Sequence, residues 1–184
     1  MSLRAMLLAL PFLAGCATVP GPPVQTVAAV DLSRYSGRWY EVARLPNRFE
    51  DGRGIDCTEV TADYTPRPDG TLTVANSCRN AAAGGAMRQA RGSAYVVAGS
   101  GNAKLRVSFF WPFYGDYWVV GLAPDYTWAV VGAPGRDYLW VLSRRPVLPA
   151  AEYAAALATA QAQGFDLGKL KPTPQGEAAP RDPS

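Results

Sequence analysis

The sequence predicts an all-β chain: an eight-stranded antiparallel up-and-down barrel with one C-terminal α-helix packed on its side. Three observations carry that reading. Short apolar runs recur along the chain, punctuated by 18 glycines and 16 prolines, as in proteins built from many strands and tight turns. Most links between those runs are hairpin-length, so strands adjacent in sequence become neighbours in the sheet. After Pro146 the pattern changes to an alanine-rich helical one. A β-sandwich shares the same alternation and is the structural competitor.

At 184 residues the chain suits one domain, and with both ends set aside about 140 residues remain, enough for a sizeable core. The net charge is only +3 and the basic residues are scattered, which argues against a nucleic-acid partner. Histidine is absent altogether. That removes Ser-His-Asp and Cys-His catalysis, histidine-ligated zinc and axial-histidine haem together. Nothing in the sequence calls for a cofactor or a metal, and no catalytic residue is assigned.

Residues 1–15 read as a signal peptide. Arg4 precedes an apolar stretch, Ala5 to Leu13, too short to cross a bilayer as a helix and right for the core of an export signal. Leu13-Ala14-Gly15-Cys16 resembles the bacterial lipobox, which implies cleavage before Cys16 and acyl chains attached to it; several chains make a stable anchor. Ala17 follows in place of aspartate, and the same resemblance then implies the outer membrane, with the domain facing the periplasm. Residues 16–30 are proline-rich and uncharged, and are expected to form a flexible tether.

The first strand is placed at 37–44, after a short turn over Asp31 to Tyr35. Residues 45–56 (LPNRFEDGRGID) are long for a hairpin, hence a functional or capping loop. Strands at 57–64 and 71–78 flank Thr65-Pro66-Arg67-Pro68-Asp69-Gly70, a turn by its Asp-Gly and proline signals. A fourth strand, at 87–97, follows a small-residue link. The fifth carries the cleanest alternation in the chain: Leu105, Val107 and Phe109 between Lys104, Arg106 and Ser108. Trp111-Pro112-Phe113-Tyr114-Gly115 turns into a sixth strand at 116–122, and strands at 126–132 and 138–143 complete the eight. Pro149 suits the first turn of a helix, Glu152 its positive end, and Gly164 its stop, with Phe165 folding back. Tyr153 and Leu157 share the face that packs on the barrel. The barrel and helix are expected over residues 31–170, and residues 171–184 as a disordered tail.

Gly37-Arg38-Trp39-Tyr40 resembles the first signature of the lipocalins, Asp125-Tyr126 the second, and Arg144 stands where the third carries its arginine. The stretches GRWYEVARLPNRFE, VSFFWPFYGDYWVVGL and GRDYLWVLSRRP are similar to the bacterial outer-membrane lipoprotein branch of that family and its apolipoprotein-D-like relatives. The resemblance implies a barrel holding an apolar molecule, closed at one end where Arg144 lies across Trp39. A guanidinium over an indole is a contact of about 0.5–2 kcal/mol.

Alternate links of such a barrel lie at its opposite, open end. That places Trp111, Phe113 and Tyr114 at the mouth, with Arg48, Arg53, Arg79 and Arg136 nearby and Leu105, Val107 and Phe109 lining the interior. Rings and cations at an entrance suit an amphiphile with an acidic head, a fatty acid or a lysophospholipid. Two cysteines depart from the branch pattern. If Tyr64 faces Thr71, the same register sets Cys57 opposite Cys78, close enough for a disulfide in an exported protein. Residues 39, 41 and 43 share a side in a regular strand, so a barrel-facing Glu41 needs a partner such as an arginine.

The function these readings favour is a membrane-anchored lipocalin that stores or moves such lipids in the cell envelope. The alternatives are a structural or interaction lipoprotein with a filled barrel, and a thiol-dependent enzyme using Cys57, which a Cys57–Cys78 bridge would exclude. The sequence leaves the oligomeric state, monomer or dimer, open.

Overall fold

Apolar alternation interrupted by turn residues sets where each strand starts and stops. The computed structural model describes residues 21–176; the expected signal peptide and Cys16 lie outside the described residues. A one-turn helix α1 (Leu32–Tyr35) precedes β1 (Gly37–Arg44), β2 (Cys57–Pro66), β3 (Leu72–Asn80), β4 (Ala86–Val96), β5 (Lys104–Phe110), β6 (Phe113–Leu122), β7 (Trp128–Gly132) and β8 (Leu139–Ser143). After them come α2 (Ala150–Ala162) and a two-residue strand β9 (Lys171–Pro172). Each strand from β1 to β8 pairs antiparallel with its neighbour in sequence, and β8 returns to pair with β1. The ring closes as an eight-stranded up-and-down barrel, which removes the free edges that two stacked sheets would keep.

Strand alternation divides the apolar residues between two cores. Trp39, Leu72, Val74, Leu105, Val119 and Val131 lie within the inner one. Val120, Val130, Leu139 and Val141 face outward and meet α2. The helix comes close because its contact residues are small: Ala156 and Ala160 are fully buried. The wall beneath is equally spare, since a Cβ on Gly121 would stand 2.7 Å from Thr159 and one on Gly132 2.4 Å from the Phe165 ring. Tyr153 and Leu157 pack at the margin of the same contact. At the helix end Gly164 takes a φ of +80°. The Phe165 N–H donates to the Ala160 carbonyl (3.2 Å) and the Gly164 N–H to that of Gln161 (2.9 Å), the bond pair of a Schellman stop.

Both ends of the chain depart from the expected boundaries. Residues 21–30, placed in the tether, form a strap laid against the barrel. Val24 and Val30 are buried, Val27 packs on the inner core, and the Val27 and Val30 N–H groups donate to Val119 (2.9 Å) and Gly101 (2.8 Å) carbonyls. Three valines at every third position remove more apolar surface from water by docking than a solvated linker would. Residues 171–176, placed in the tail, fill a seam. The β1–β2 ladder covers only Gly37–Tyr40 against Thr61–Tyr64. Beyond it β9 pairs with Ala43 and Arg44, the Thr173 N–H donates to Val42 (3.0 Å), and the Glu59 N–H donates to Pro174 (2.7 Å). Backbone groups freed where the strands part are thereby satisfied.

The β2–β3 register also differs. Tyr64 faces Val74, not Thr71, because the turn is Arg67 to Thr71 and Pro66 pairs with Leu72. A bulge between Thr58 and Thr61, with Glu59 at φ +50°, then sets Cys57 opposite Asn80. Cys57 and Cys78 are diagonal neighbours on one face, 5.5 Å apart at Cα, and they form the disulfide.

Adding a methyl at the helix–wall contact tests this packing. Gly132→Ala is expected to lower stability by roughly 1–3 kcal/mol through displacement of Phe165. In urea titrations the loss should shrink in a Phe165→Leu background; equal losses in both backgrounds would place the strain elsewhere.

Candidate functional site

One end of the barrel is stoppered. Arg144, just past β8, lays its guanidinium carbon 3.9 Å from the centre of the Trp39 ring. Its Nη1 donates to the Arg38 carbonyl (2.7 Å) and its Nη2 to that of Arg34 (2.6 Å), while Trp39 Nε1 donates to Tyr35 (2.8 Å). Gly37 takes a φ of +88° beside that guanidinium, and Tyr40 points to the outer face. Asp125 caps its own turn by accepting from the Thr127 N–H (3.2 Å) and hydroxyl (2.8 Å). Tyr126 accepts from the Asp31 N–H (2.9 Å) and carries Arg34 over its ring at 4.0 Å. All the signature residues therefore gather at the closed end.

Above this stopper the lower half of the barrel is filled. The Tyr117 hydroxyl lies 2.7 Å from that of Tyr35 and accepts from Tyr64 (2.8 Å). Burial pushes all three phenols above their ordinary pKa, so they stay neutral donors and acceptors.

Higher up, the inner wall of β1 becomes charged. A bulge between Glu41 and Ala43 turns Ala43 outward and Arg44 inward, so the three odd positions do not share a side. Arg44 is fully buried. Its Nη1 donates to Glu41 Oε1 (2.8 Å) and Thr173 Oγ1 (3.0 Å), its Nε and Nη2 grip Asp51 (2.8 and 2.7 Å), and Nη2 also reaches the Cys57 carbonyl (3.0 Å). Glu41 thus has the arginine partner that its burial requires. Burial, then the neighbouring Glu50 carboxyl, push the Glu41 pKa well up despite Arg44. Asp51 goes the other way. Its burial alone would raise it, but hydrogen bonds from Arg44, Lys171 and the Asn47 N–H hold it far below the usual carboxylate range.

The open end is capped in part by the loop after β1, residues 45–56. Glu50 turns inward there, accepting from Trp140 Nε1 (3.0 Å) and Asn47 Nδ2 (2.6 Å), and Phe49, Tyr138 and Trp140 stack in a row. The opposite wall stays open. β4 pairs with β3 from Ala86 to Ala94, yet with β5 only from Ser93 to Val96. The two part at Gly92, where a Cβ would stand 2.3 Å from the Ser108 carbonyl. From Ala86 to Arg91 both faces of β4 are exposed. Its inward face, set by Ala94, carries Gly92, Ala90 and Arg88: small residues below a cation. Arg88 Nη1 reaches toward the Phe49 carbonyl (3.4 Å) across the mouth. Opposite Ala90, Asn76 holds its Oδ1 buried without a hydrogen-bond partner.

The expected lining residues Leu105, Val107 and Phe109 do face inward. Trp111 and Phe113 are at the mouth but turned outward, 82% and 76% exposed, and Phe110 joins them at 78%. Tyr114 packs edge-on against Tyr95 on the outer wall. Arg48 lies over the Phe49 ring and Arg53 is exposed on the same loop. Arg79 points outward to Glu59 (3.2 Å), because Cys78 takes the inward position next to it. Arg136 is bound to the Gln163 carbonyl (2.6 Å) and to that of Pro22, so it joins α2 and the strap to the β7–β8 link. Arg88 is the inward cation that sequence reasoning missed. Its alternation with Ala90, Gly92 and Ala94 was the available signal, masked because Arg91 occupies the opposite phase. A separate cleft of about 340 Å³, between Val42, Leu148, Tyr153 and Gln175, lies on the outer wall away from the mouth. Among the described residues there is no cluster of three or more potential metal ligands, and Cys57, bridged to Cys78, has no thiol to act as a nucleophile.

A closed antiparallel barrel, stoppered at one end and open at the other, defines a cup-shaped binding protein. The model of the lipocalin-like domain matches residues 30–175. The outer membrane lipoprotein Blc of Escherichia coli K12 is 44% identical over 161 residues, covering 86% of this chain and 88% of that protein. Temperature-induced lipocalin-1 of Arabidopsis thaliana is 38% identical, covering 85% and 86%. Mouse apolipoprotein D is 33% identical, covering 85% and 82%. Among solved structures, insecticyanin of the tobacco hornworm superposes with a TM-score of 0.67 at 23% identity, over 86% of this chain and 87% of its own, a likeness of fold. The chain belongs to the lipocalin family, whose members are binding proteins. Among the described residues no helix is long and apolar enough to cross a membrane.

The buried network yields two checks. Arg44→Met removes the cation from Glu41 and Asp51 and should lower stability by about 3–5 kcal/mol in denaturant titration. Asp51, with its pKa depressed by folding, stabilises the native state above the unfolded carboxylate pKa of about 3.9, and that contribution disappears as pH falls below it. The urea midpoint of wild type should therefore fall more steeply from about pH 4 to pH 2 than that of Asp51→Asn; parallel curves would remove Asp51 from the account.

Proposed function

We propose that this chain is an outer-membrane lipoprotein, anchored through acylated Cys16 and facing the periplasm, whose cup binds a fatty acid or lysophospholipid for storage or transport in the envelope. The observation that carries the reading is the half-open cup. Its floor is sealed by neutral tyrosine hydroxyls, and its upper wall offers apolar Val107 and Phe109 beside the small Ala90 and Gly92. Arg88 stands above them, where an acidic head would sit once the tail is inside. The Blc relatives' description as outer membrane lipoproteins supports the location.

A fluorescent fatty acid should titrate the delipidated, refolded protein with saturable enhancement, competed by lysophospholipid. Arg88→Gln should weaken binding about tenfold, the scale of one charge-assisted hydrogen bond. Val107→Trp, which fills the upper cup, should abolish it with the β-sheet circular dichroism retained. No enhancement by wild type would favour the filled-barrel lipoprotein instead.

A further inference from the structure

Large apolar side chains in this fold are mostly buried, but seven among the described residues are exposed, and five of them, Phe49, Met87, Phe110, Trp111 and Phe113, lie at the open end. They come from three separate segments: the 45–56 loop, the start of β4 and the β5–β6 tip. Cations stand among them. Arg48, Arg53, Arg88 and Arg91 are exposed, whereas the nearby carboxylates Asp51 and Asp56 are both bound by Lys171 at 2.7 Å; Glu59 and Asp137 are exposed, the first paired with Arg79 at 3.2 Å. Apolar rings with a tryptophan, edged by arginines, match the interfacial zone of a bilayer with anionic headgroups.

The strap decides which end of the barrel is presented. It starts at the closed end, where the Val30 N–H is bound to Gly101 (2.8 Å). From there Val24 runs under α2, the Gln25 N–H is bound to the Gln163 side chain (2.8 Å), and Pro22 is bound by Arg136 in the link that joins β7 to β8 at the open end. Residue 21 therefore leaves the barrel on the mouth side. Cys16 is five residues earlier in the sequence, a reach of at most about 18 Å. A barrel wall built on ten-residue strands such as β2 is on the order of 33 Å along the strand. An anchor at Cys16 cannot bring the closed end to the membrane while the strap is docked.

We infer that the open rim of the barrel docks on the bilayer surface, seating Phe110, Trp111 and Phe113 at the headgroup–acyl boundary so that the gap between β4 and β5 opens onto lipid. The inference rests on the proposed anchoring through Cys16 for its direction, and on the exposed rim for its contact.

The test uses the full mature chain purified from membranes and reconstituted in phosphatidylethanolamine–phosphatidylglycerol vesicles with brominated acyl chains. Tryptophan quenching should be roughly twofold greater in wild type than in Trp111→Phe, as for a side chain at the interface, and intact mass should show the acylated N-terminus. An acylated chain with equal quenching in both overturns the docked rim and leaves the anchor standing. An unacylated chain still quenched through Trp111 supports the rim and overturns the anchor alone. Trp111 unquenched in a chain that sediments as a dimer gives the rim to a second copy and overturns the proposal.

Discussion

A single buried guanidinium ties the open half of this barrel together. Arg44 ends β1, yet its donors reach Glu41 on its own strand, Asp51 in the mouth loop, the Cys57 carbonyl that starts β2, and Thr173 near the C-terminus. Asp51 lies in a loop outside every ladder, and the segments carrying Cys57 and Thr173 flank the gap left where β1 and β2 stop pairing at Tyr40. An unpaired charge at full burial is prohibitive, so the four partners are obligatory. The charge is thus the reason the mouth loop folds inward and the C-terminal segment lies in the seam. The bulge at Glu41–Ala43 makes this possible by turning Arg44 to the inside.

The two halves of the interior then serve different ends. Below, tyrosine hydroxyls and branched side chains fill the space and seal it onto Trp39, so the closed end contributes rigidity. Above, the wall is uneven. The seam between β1 and β2 is filled from within the chain, whereas the gap between β4 and β5 is left open. Gly92 brings the two strands closest immediately before they diverge, and small side chains continue on the inner face beyond it. Closure of one gap and retention of the other give the cup a side as well as a top.

Much of this was legible in the sequence. All eight strands lie where the apolar alternation and turn residues placed them, and the three signature stretches do meet at one end around Trp39 and Arg144. The disulfide was also legible, although for an incomplete reason: the turn sets Tyr64 against Val74, the bulge at Glu59 shifts the register by one residue, and Cys57 and Cys78 come together diagonally instead of directly. Bulges are the common cause of the misses. An extra residue in one strand inverts the inward phase without changing composition, so Arg44 could not be read as internal, nor Ala43 as external. Arg79 and Arg136 look alike as loop arginines in the sequence. Only the fold shows one paired to Glu59 on the outer wall and the other joining the strap to α2.

The terminal segments show a different limit. Proline-rich composition without a secondary-structure period argues for a linker, and residues 21–30 and 171–176, the latter charged only at Lys171, both meet that description. Composition, however, measures what a segment can bury alone, not what unsatisfied surface a barrel offers it. β6 extends beyond β5 at its closed end, and β1 beyond β2 at its open end, leaving backbone groups without partners. A proline-containing segment with a few free N–H groups suits such a site: Val27 and Thr173 each donate one bond to the exposed edge, and neighbouring prolines require none. Valines at 24, 27 and 30 were the readable sign of docking in the first case. In the second, Thr173 had none, since its burial depends on a charge network assembled from residues more than a hundred positions away.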